Sequence, residues 1–168
     1  MTDRPPDFET PATRTWVLQG TSETGGELYE QRVEFAPGSP FPPTHFHPDQ
    51  AERFEVEQGA MIYVVDGEEH RVAAGESLDL QKGVPHKARN ASPDEPAVVR
   101  WETRPALRAE DFYRTAAELG EAGLLHSALM AHEYRDVFRP TGLLSMVVSP
   151  VAAIARLLRR KLPDIDGA

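Results

Sequence analysis

The stretch that decides the fold is PTHFHPDQAERFEVEQG, residues 43–59. It places His45 and His47 two positions apart, and in an extended strand two such residues point to the same face. Glu52 follows a Pro-Asp turn that can reverse the chain, and it begins an alternation of charged and apolar residues. If Glu52 points inward, Phe54 shares its face and the neighbouring charged residues lie outside. The stretch therefore predicts two imidazoles and one carboxylate inside a β-structure.

Short β-type runs continue on both sides of this stretch, over about residues 16–103, and turn residues separate them. Many short strands with close turns are typical of a sandwich or a barrel. Asp66-Gly67 is the strongest turn signal, because a two-residue type I′ hairpin needs positive φ at both central positions. We expect a hairpin there and a β-barrel over residues 14–107.

The apolar spacing becomes helical after residue 107. The predicted helices are residues 107–119, 124–134 and 151–162, the first ending at Gly120 and the third lying behind Pro150. We expect residues 108–168 to form a helical C-terminal extension whose apolar stripes are buried against the barrel or across a homodimer. Residues 1–13 hold three prolines among acidic residues, and they are predicted to be a flexible arm.

A second run, GESLDLQKGVPHKARN at residues 75–90, brings a third histidine. The two runs together resemble the two sequence motifs of the cupin superfamily. The matching residues are His45, His47, Glu52 and Gly59 in the first motif and Gly75, Gly83, His86 and Asn90 in the second. The chain departs from the pattern at Gln81, where the motif has proline, and by one extra residue between Gly38 and His45. Neither departure touches a ligand position.

The resemblance covers about residues 30–103 and implies a mainly β fold, the cupin jelly-roll or double-stranded β-helix, with about six to eight strands. It also implies one mononuclear metal ion. The ligands that it implies are His45, His47, Glu52 and His86. Such ligands suit divalent Fe, Mn, Ni, Co, Cu or Zn without selecting among them. The resulting charge of about +1 favours anionic substrate oxygens or deprotonation of bound water.

The remaining polar candidates are interpreted as structural or stay open. We expect Asn90 to cap a turn, His70 to lie on a solvated edge, and His126 and His132 to be surface or interface residues. The barrel lining comes either from Met61 and Tyr63 or from Ile62 and Val64. On the last strand, the sequence likewise leaves open which of Arg100, Trp101 and Glu102 face the interior. The basic stretch at residues 156–161 is expected to pack on the barrel or on a second subunit, with anionic lipid or another partner as the alternative.

Composition excludes several classes of function. The chain has 168 residues, a formal net charge of −9 and no cysteine. The negative charge argues against nucleic acid as a partner, because binding to phosphates needs clustered Lys and Arg. The lack of cysteine excludes thiolate zinc sites and iron–sulfur clusters. No apolar run approaches the roughly 20 residues of a membrane-spanning helix, and no signal-peptide pattern is present, so we expect a cytoplasmic protein without integral membrane association.

Two functions of different class fit these features, and the sequence leaves open whether the protein is catalytic. The first is a metal-dependent enzyme acting on a small anionic or enolisable molecule, most readily as an oxygenase such as a dioxygenase, with isomerase or decarboxylase as further options. In this reading Glu52 is both a ligand and the catalytic base. The second is a noncatalytic, metal-dependent protein that binds or senses a small ligand.

Overall fold

The computed structural model of the protein describes residues 4–120 and 124–157. The strands are β1 Phe8–Glu9, β2 Thr13–Gln19, β3 Tyr29–Phe35, β4 His45–Phe46, β5 Ala51–Gln58, β6 Ala60–Val65, β7 Glu68–Ala73, β8 Ser77–Leu80, β9 His86–Asn90, β10 Ala97–Arg104 and β11 Arg139–Pro140. The helices are α1 Ala109–Leu119, α2 Leu124–Glu133 and α3 Gly142–Leu157.

Two antiparallel sheets form the barrel. One has the strand order β1-β2-β3-β10-β5-β8, and the other has the order β11-β4-β9-β6-β7. The main apolar core consists of Phe54, Val56, Met61, Tyr63, Val72, Leu80, Ala97 and Val99. The prediction of a mainly β jelly-roll barrel followed by helices is confirmed.

The period-two pattern of β5 decides which side chains enter the barrel. The buried residues are Glu52, Phe54 and Val56, and the exposed residues are Arg53, Glu55 and Glu57. On β6 the residues that line the barrel are Met61 and Tyr63, which belong to the main core. The inward direction of Glu52 is therefore confirmed.

The predicted hairpin joins β6 to β7. Asp66 has φ 52° and Gly67 has φ 89°, and Val65 pairs with Glu68 across the turn. Gly59 makes the preceding connection with φ 73°, and a Cβ atom there would lie 2.9 Å from the carbonyl oxygen of Pro96. Glycine is required at this position both by its φ and by this close approach.

The N-terminal segment, predicted as a flexible arm, contacts β2 over its described part. Phe8 and Glu9 pair with β2, and the indole nitrogen of Trp16 donates a hydrogen bond of 3.0 Å to the carbonyl of Arg4. The carboxylate of Asp7 accepts a bond of 2.8 Å from the backbone nitrogen of Val17. These bonds hold the described part of the segment on the sheet, because they satisfy donors along β2. Residues 1–3 lie outside the described residues.

The third helix also differs from its predicted bounds. It begins at Gly142 and contains Pro150, although proline removes a helical hydrogen bond. Val148 and Ala152 are both buried, so one packed face continues across the proline. Ile154 and Leu157 are exposed, so they do not pack on the barrel, and their predicted burial across a homodimer stays a prediction. The side chain of Arg156 and residues 158–162 lie outside the described residues.

The first helix packs on the barrel through aromatic contacts. Tyr113 stacks on Tyr29 with 5.9 Å between ring centroids and meets Trp101 edge-on at 5.1 Å. The side-chain amide of Gln50 donates bonds of 3.0 Å and 2.8 Å to the carbonyls of Pro105 and Ala106.

Within the described residues no helix combines the length and apolar character needed to span a bilayer.

Candidate metal centre

Three histidines meet inside the barrel. His45 on β4 lies opposite His86 on β9, and His47 follows directly after β4. The ring centroids are 4.6 Å apart for His45 and His86, 5.1 Å for His45 and His47, and 5.3 Å for His47 and His86. One ring nitrogen from each histidine lies within 4.8 Å of the others. This triad is compatible with a metal ion.

Each imidazole is oriented by a backbone carbonyl. The Nδ1 atoms lie 2.9 Å from Pro43 O for His45, 2.5 Å from Val137 O for His47 and 3.0 Å from Val84 O for His86. A carbonyl oxygen only accepts, so each Nδ1 carries the proton. The Nε2 atom of each neutral ring then has a free lone pair, which is the form that binds a metal.

Glu52 approaches the triad from β5. Its Oε1 lies 3.2 Å from His47 Nε2, and its Oε2 lies 3.1 Å from His86 Nε2. The indole nitrogen of Trp101 donates a bond of 3.1 Å to Oε1. His47 Nε2 and Glu52 Oε2 are buried and have no hydrogen-bond partner among the described residues. Because unpaired buried polar atoms cost about 1–3 kcal/mol each, a cation shared by these two atoms fits the site.

Burial and mutual charge set the protonation of the site. Burial lowers the pKa of His45 to about 3, and the neighbouring imidazoles add to the effect. Burial raises the pKa of Glu52, but the imidazoles, His47 first, outweigh it and hold the pKa at about 2. Burial lowers the pKa of His86, yet its contact with Glu52 raises the pKa by more. A metal ion must therefore compete with a proton between His86 and Glu52.

The C-terminal extension completes the site, which the sequence analysis did not predict. β11 pairs with β4, and the Thr141 backbone nitrogen donates a bond of 2.9 Å to Thr44 O. Phe138 stacks on His45 with 4.5 Å between ring centroids, and Val137 supplies the carbonyl that orients His47. The sequence carries only a weak signal here, the short alternation YRDVFRP at residues 134–140.

Further buried polar atoms of the barrel have no hydrogen-bond partner within residues 4–120 and 124–157. They are the hydroxyls of Tyr63 and Thr103 and the amide nitrogen of Gln31. Thr103 pairs with Glu52 across β10 and β5, and Gln31 pairs with Trp101 across β3 and β10. The sequence analysis missed Thr103 and Gln31. Their signal was a polar residue at an inward position of an alternating strand.

The other candidates lie away from the triad. The side chain of Asn90 donates to the carbonyls of Phe35, Ala36 and Glu95 and accepts from Ser92 N, so its structural role is confirmed. His70 is exposed on β7, and His126 and His132 are half-buried on α2. Arg100 forms an ion pair with Glu30, whereas Trp101 points to Glu52.

Known proteins share the fold of this chain. Residues 31–101 match the sequence model of the cupin domain. KdgF from Halomonas sp. is 23% identical with a TM-score of 0.50, over 59% of this chain and 87% of that one. A predicted oxalate decarboxylase from Thermotoga maritima is 14% identical with a TM-score of 0.55, over 61% and 94%. An uncharacterized protein with a double-stranded β-helix domain from Klebsiella pneumoniae is 22% identical with a TM-score of 0.50, over 62% and 79%.

No curated protein sequence matches the chain. The structural similarities lie below 25% identity and support the fold alone. The barrel that contains residues 31–101 is therefore similar in sequence and in fold to the cupin domain.

Proposed function

We propose that this protein holds one divalent transition-metal ion and acts on a small anionic or enolisable molecule, most readily as an oxygenase. The proposed ligands are His45, His47, Glu52 and His86. The orphaned atoms His47 Nε2 and Glu52 Oε2, buried beside two further imidazoles, carry the proposal. Iron, manganese, nickel, cobalt, copper or zinc bound there would supply Lewis acidity and open coordination positions, and the redox-active ions would also supply electron transfer.

Charge and hydrogen-bonding groups support the proposed substrate class. Three neutral imidazoles and one carboxylate around a divalent ion leave about +1, which favours an anionic oxygen. The hydroxyls of Tyr63 and Thr103 and the amide of Gln31 have no partner within the described chain and could donate to further substrate oxygens. Phe138 over His45 would exclude water from the bound substrate.

Glu52 is the group that would move a proton. Its Oε1 is held by the indole nitrogen of Trp101, whereas its Oε2 faces His86 Nε2 at 3.1 Å and has no donor among the described residues once that nitrogen has lost its proton. Oε2 is therefore the atom that would accept a proton from a substrate hydroxyl or an acidic C–H group. Trp101 would keep the carboxylate oriented during this transfer.

A noncatalytic, metal-dependent binding or sensing protein is the second candidate. The pKa of Glu52, about 2, favours it, because a carboxylate that holds protons so weakly is a poor general base near neutral pH. In that case the same side chains would only bind a ligand.

Turnover by Glu52→Gln separates the two candidates. Glu55→Gln is the matched control, because Glu55 lies on the outer face of the same strand. Oxygen consumption and product formation are measured with metal-loaded protein and a panel of small carboxylates, phenols and sugars. If the protein is an enzyme, turnover should fall by about a hundredfold or more in Glu52→Gln and stay unchanged in Glu55→Gln. Tight binding of a panel member without turnover in the wild type would support the sensor, and failure to bind any metal would refute both candidates.

We further propose that the protein is a homodimer. The support is one side of α3, where Met146, Ile154 and Leu157 are 71%, 51% and 82% exposed. Large apolar side chains gathered on one helix face favour a protein partner. The cytoplasmic location and the lack of a nucleic-acid partner stay predictions.

A further inference from the structure

The helical extension borders a partly open apolar cavity beside the barrel. Its volume is about 260 Å³. The walls include Phe112, Ala116, Met130, Ala131, Phe138 and Val148. An apolar cavity of roughly 150 Å³ stays dry and binds benzene. This cavity is therefore large enough for an apolar chain or ring of about eight carbon atoms.

A basic cleft adjoins the cavity. The two spaces share Ala131, Pro140 and Val148 as walls, and the cleft is also lined by Arg135 and Arg139. His132, Thr141 and Ser145 add polar groups to the cleft. The shared walls place the two spaces side by side.

Among the described residues the two arginines form no salt bridge with a carboxylate, although the charge of Arg135 acts on Asp136. The nearest acidic residues in sequence are Glu133 and Asp136, and both lie against Arg108, at 3.8 Å and 2.5 Å. Arg139 donates its Nε to the backbone carbonyl of Arg135. Within residues 4–120 and 124–157, no carboxylate lies within 4 Å of either guanidinium group of the cleft. In a chain of net charge −9, this local positive charge is an exception that suits an anion.

We propose that the cavity and the cleft form one binding site, separate from the metal centre, for a small amphipathic monoanion. The apolar body of the ligand lies in the cavity, and its carboxylate is bound by Arg135 and Arg139. The cavity walls recognise an aliphatic or aromatic body without hydrogen-bonding groups. The two guanidinium groups recognise the charge and the planar shape of the carboxylate.

The site also touches the metal centre through Phe138. Phe138 is one of the residues that line the cavity, and its ring also stacks on His45. The alternative orientation places the carboxylate of the ligand at the metal centre instead of at the two arginines. The two orientations differ in their dependence on metal, which makes them distinguishable.

Calorimetric titration with octanoate tests the site, on the full chain as purified and after metal removal. Octanoate is expected to bind both forms alike and about tenfold more tightly than hexanoate, because two more methylene groups are buried. Octan-1-ol, with the same body and no charge, is expected to bind about tenfold more weakly than octanoate.

Variants assign the two halves of the site. Ala116→Leu fills the cavity and is expected to weaken octanoate binding about tenfold, whereas Ala117→Leu is the neighbouring control outside the lining and leaves it unchanged. Arg135→Gln and Arg139→Gln are expected to reduce the affinity for octanoate to that for octan-1-ol. Thermal melts and metal content of each variant check that the fold is retained.

Several results would overturn the proposal. The proposal fails if the wild type does not bind octanoate, or if Ala116→Leu binds it as tightly as the wild type does. It also fails if both arginine variants bind octanoate as tightly as the wild type does, or if binding disappears when the metal is removed. The last result would mean that the carboxylate binds the metal instead. Metal analysis of the same samples tests the proposed metal function independently, so the two proposals fail separately.

Discussion

The backbone carbonyl of Val137 accepts a hydrogen bond of 2.5 Å from Nδ1 of His47, although the two residues are 90 positions apart. The C-terminal extension thus orients an imidazole of the candidate metal centre. Phe138, the next residue, stacks on His45. The extension is therefore part of the site, and its removal should lower the affinity for the metal.

The first prediction concerns metal content. His47→Ala and His86→Ala each remove one Nε2 from the triad, and we expect metal affinity to fall at least about tenfold, because the remaining rigid ligands cannot move to replace it. His70→Ala, at an exposed position of β7, is the control and should bind one ion per chain like the wild type. Elemental analysis after dialysis measures the content. A wild-type protein that stays metal-free after reconstitution with Fe, Mn, Ni, Co, Cu and Zn would contradict the assignment.

The second prediction concerns the extension. A chain that ends at Leu107 loses the carbonyl of Val137, the β11 partner of β4 and the ring of Tyr113 that covers Tyr29. We expect metal affinity to fall about 10- to 100-fold, as for other losses of groups that orient a ligand, and the melting temperature to fall as well. Calorimetry with metal and a thermal melt provide the readouts. Unchanged values for both would show that the extension is an independent appendage.

The third prediction compares two glycines with positive φ. Gly59→Ala and Gly67→Ala both introduce a Cβ at a left-handed position, which costs about 1–2 kcal/mol. Only Gly59 also faces a backbone oxygen at 2.9 Å, so we expect Gly59→Ala to lower the free energy of unfolding by more than Gly67→Ala. Urea unfolding of the two variants measures the difference. Equal losses would mean that the β5–β6 turn relaxes away from Pro96.

The fourth prediction is a pH dependence. The hydrogen bond from Arg108 lowers the pKa of Asp136, so this pair stabilises the folded state above the unfolded pKa, about 4, and the contribution is lost as the pH falls through the folded pKa. The side chain of Asp136 is 44% exposed, so we expect less than about 1 kcal/mol. Urea unfolding should show Asp136→Asn less stable than the wild type at pH 7 and equal to it at a pH below the folded pKa. A gap that persists at the low pH would assign the loss to packing instead.

The fifth prediction concerns association. Ile154→Ser and Leu157→Ser remove apolar side chains from the exposed face of α3 without touching the barrel. If this face joins two copies, the variants should sediment as monomers at concentrations at which the wild type sediments as a dimer. His126→Ser on α2 serves as a half-buried control. A wild type that sediments as a monomer would refute the homodimer.

The amino-acid sequence by itself determined the main strands between residues 16 and 103, the Asp66-Gly67 hairpin and the inward direction of Glu52. These features follow from alternation and turn chemistry, which act over a few residues and can be read locally. The spacing of the histidines also belongs to this class, since residues two apart on a strand share a face. Asn90 was interpreted correctly for the same reason, because its bonds close a local turn.

Only the tertiary structure decided how the extension meets the barrel. Val137 and Phe138 reach the histidines because β11 pairs with β4, a contact between segments about 90 residues apart. The continuation of α3 through Pro150 likewise depends on a packed face that overrides the local preference of proline. Such contacts are selected by the combined burial of many side chains, and no periodicity within a single segment encodes which distant segment will supply the partner.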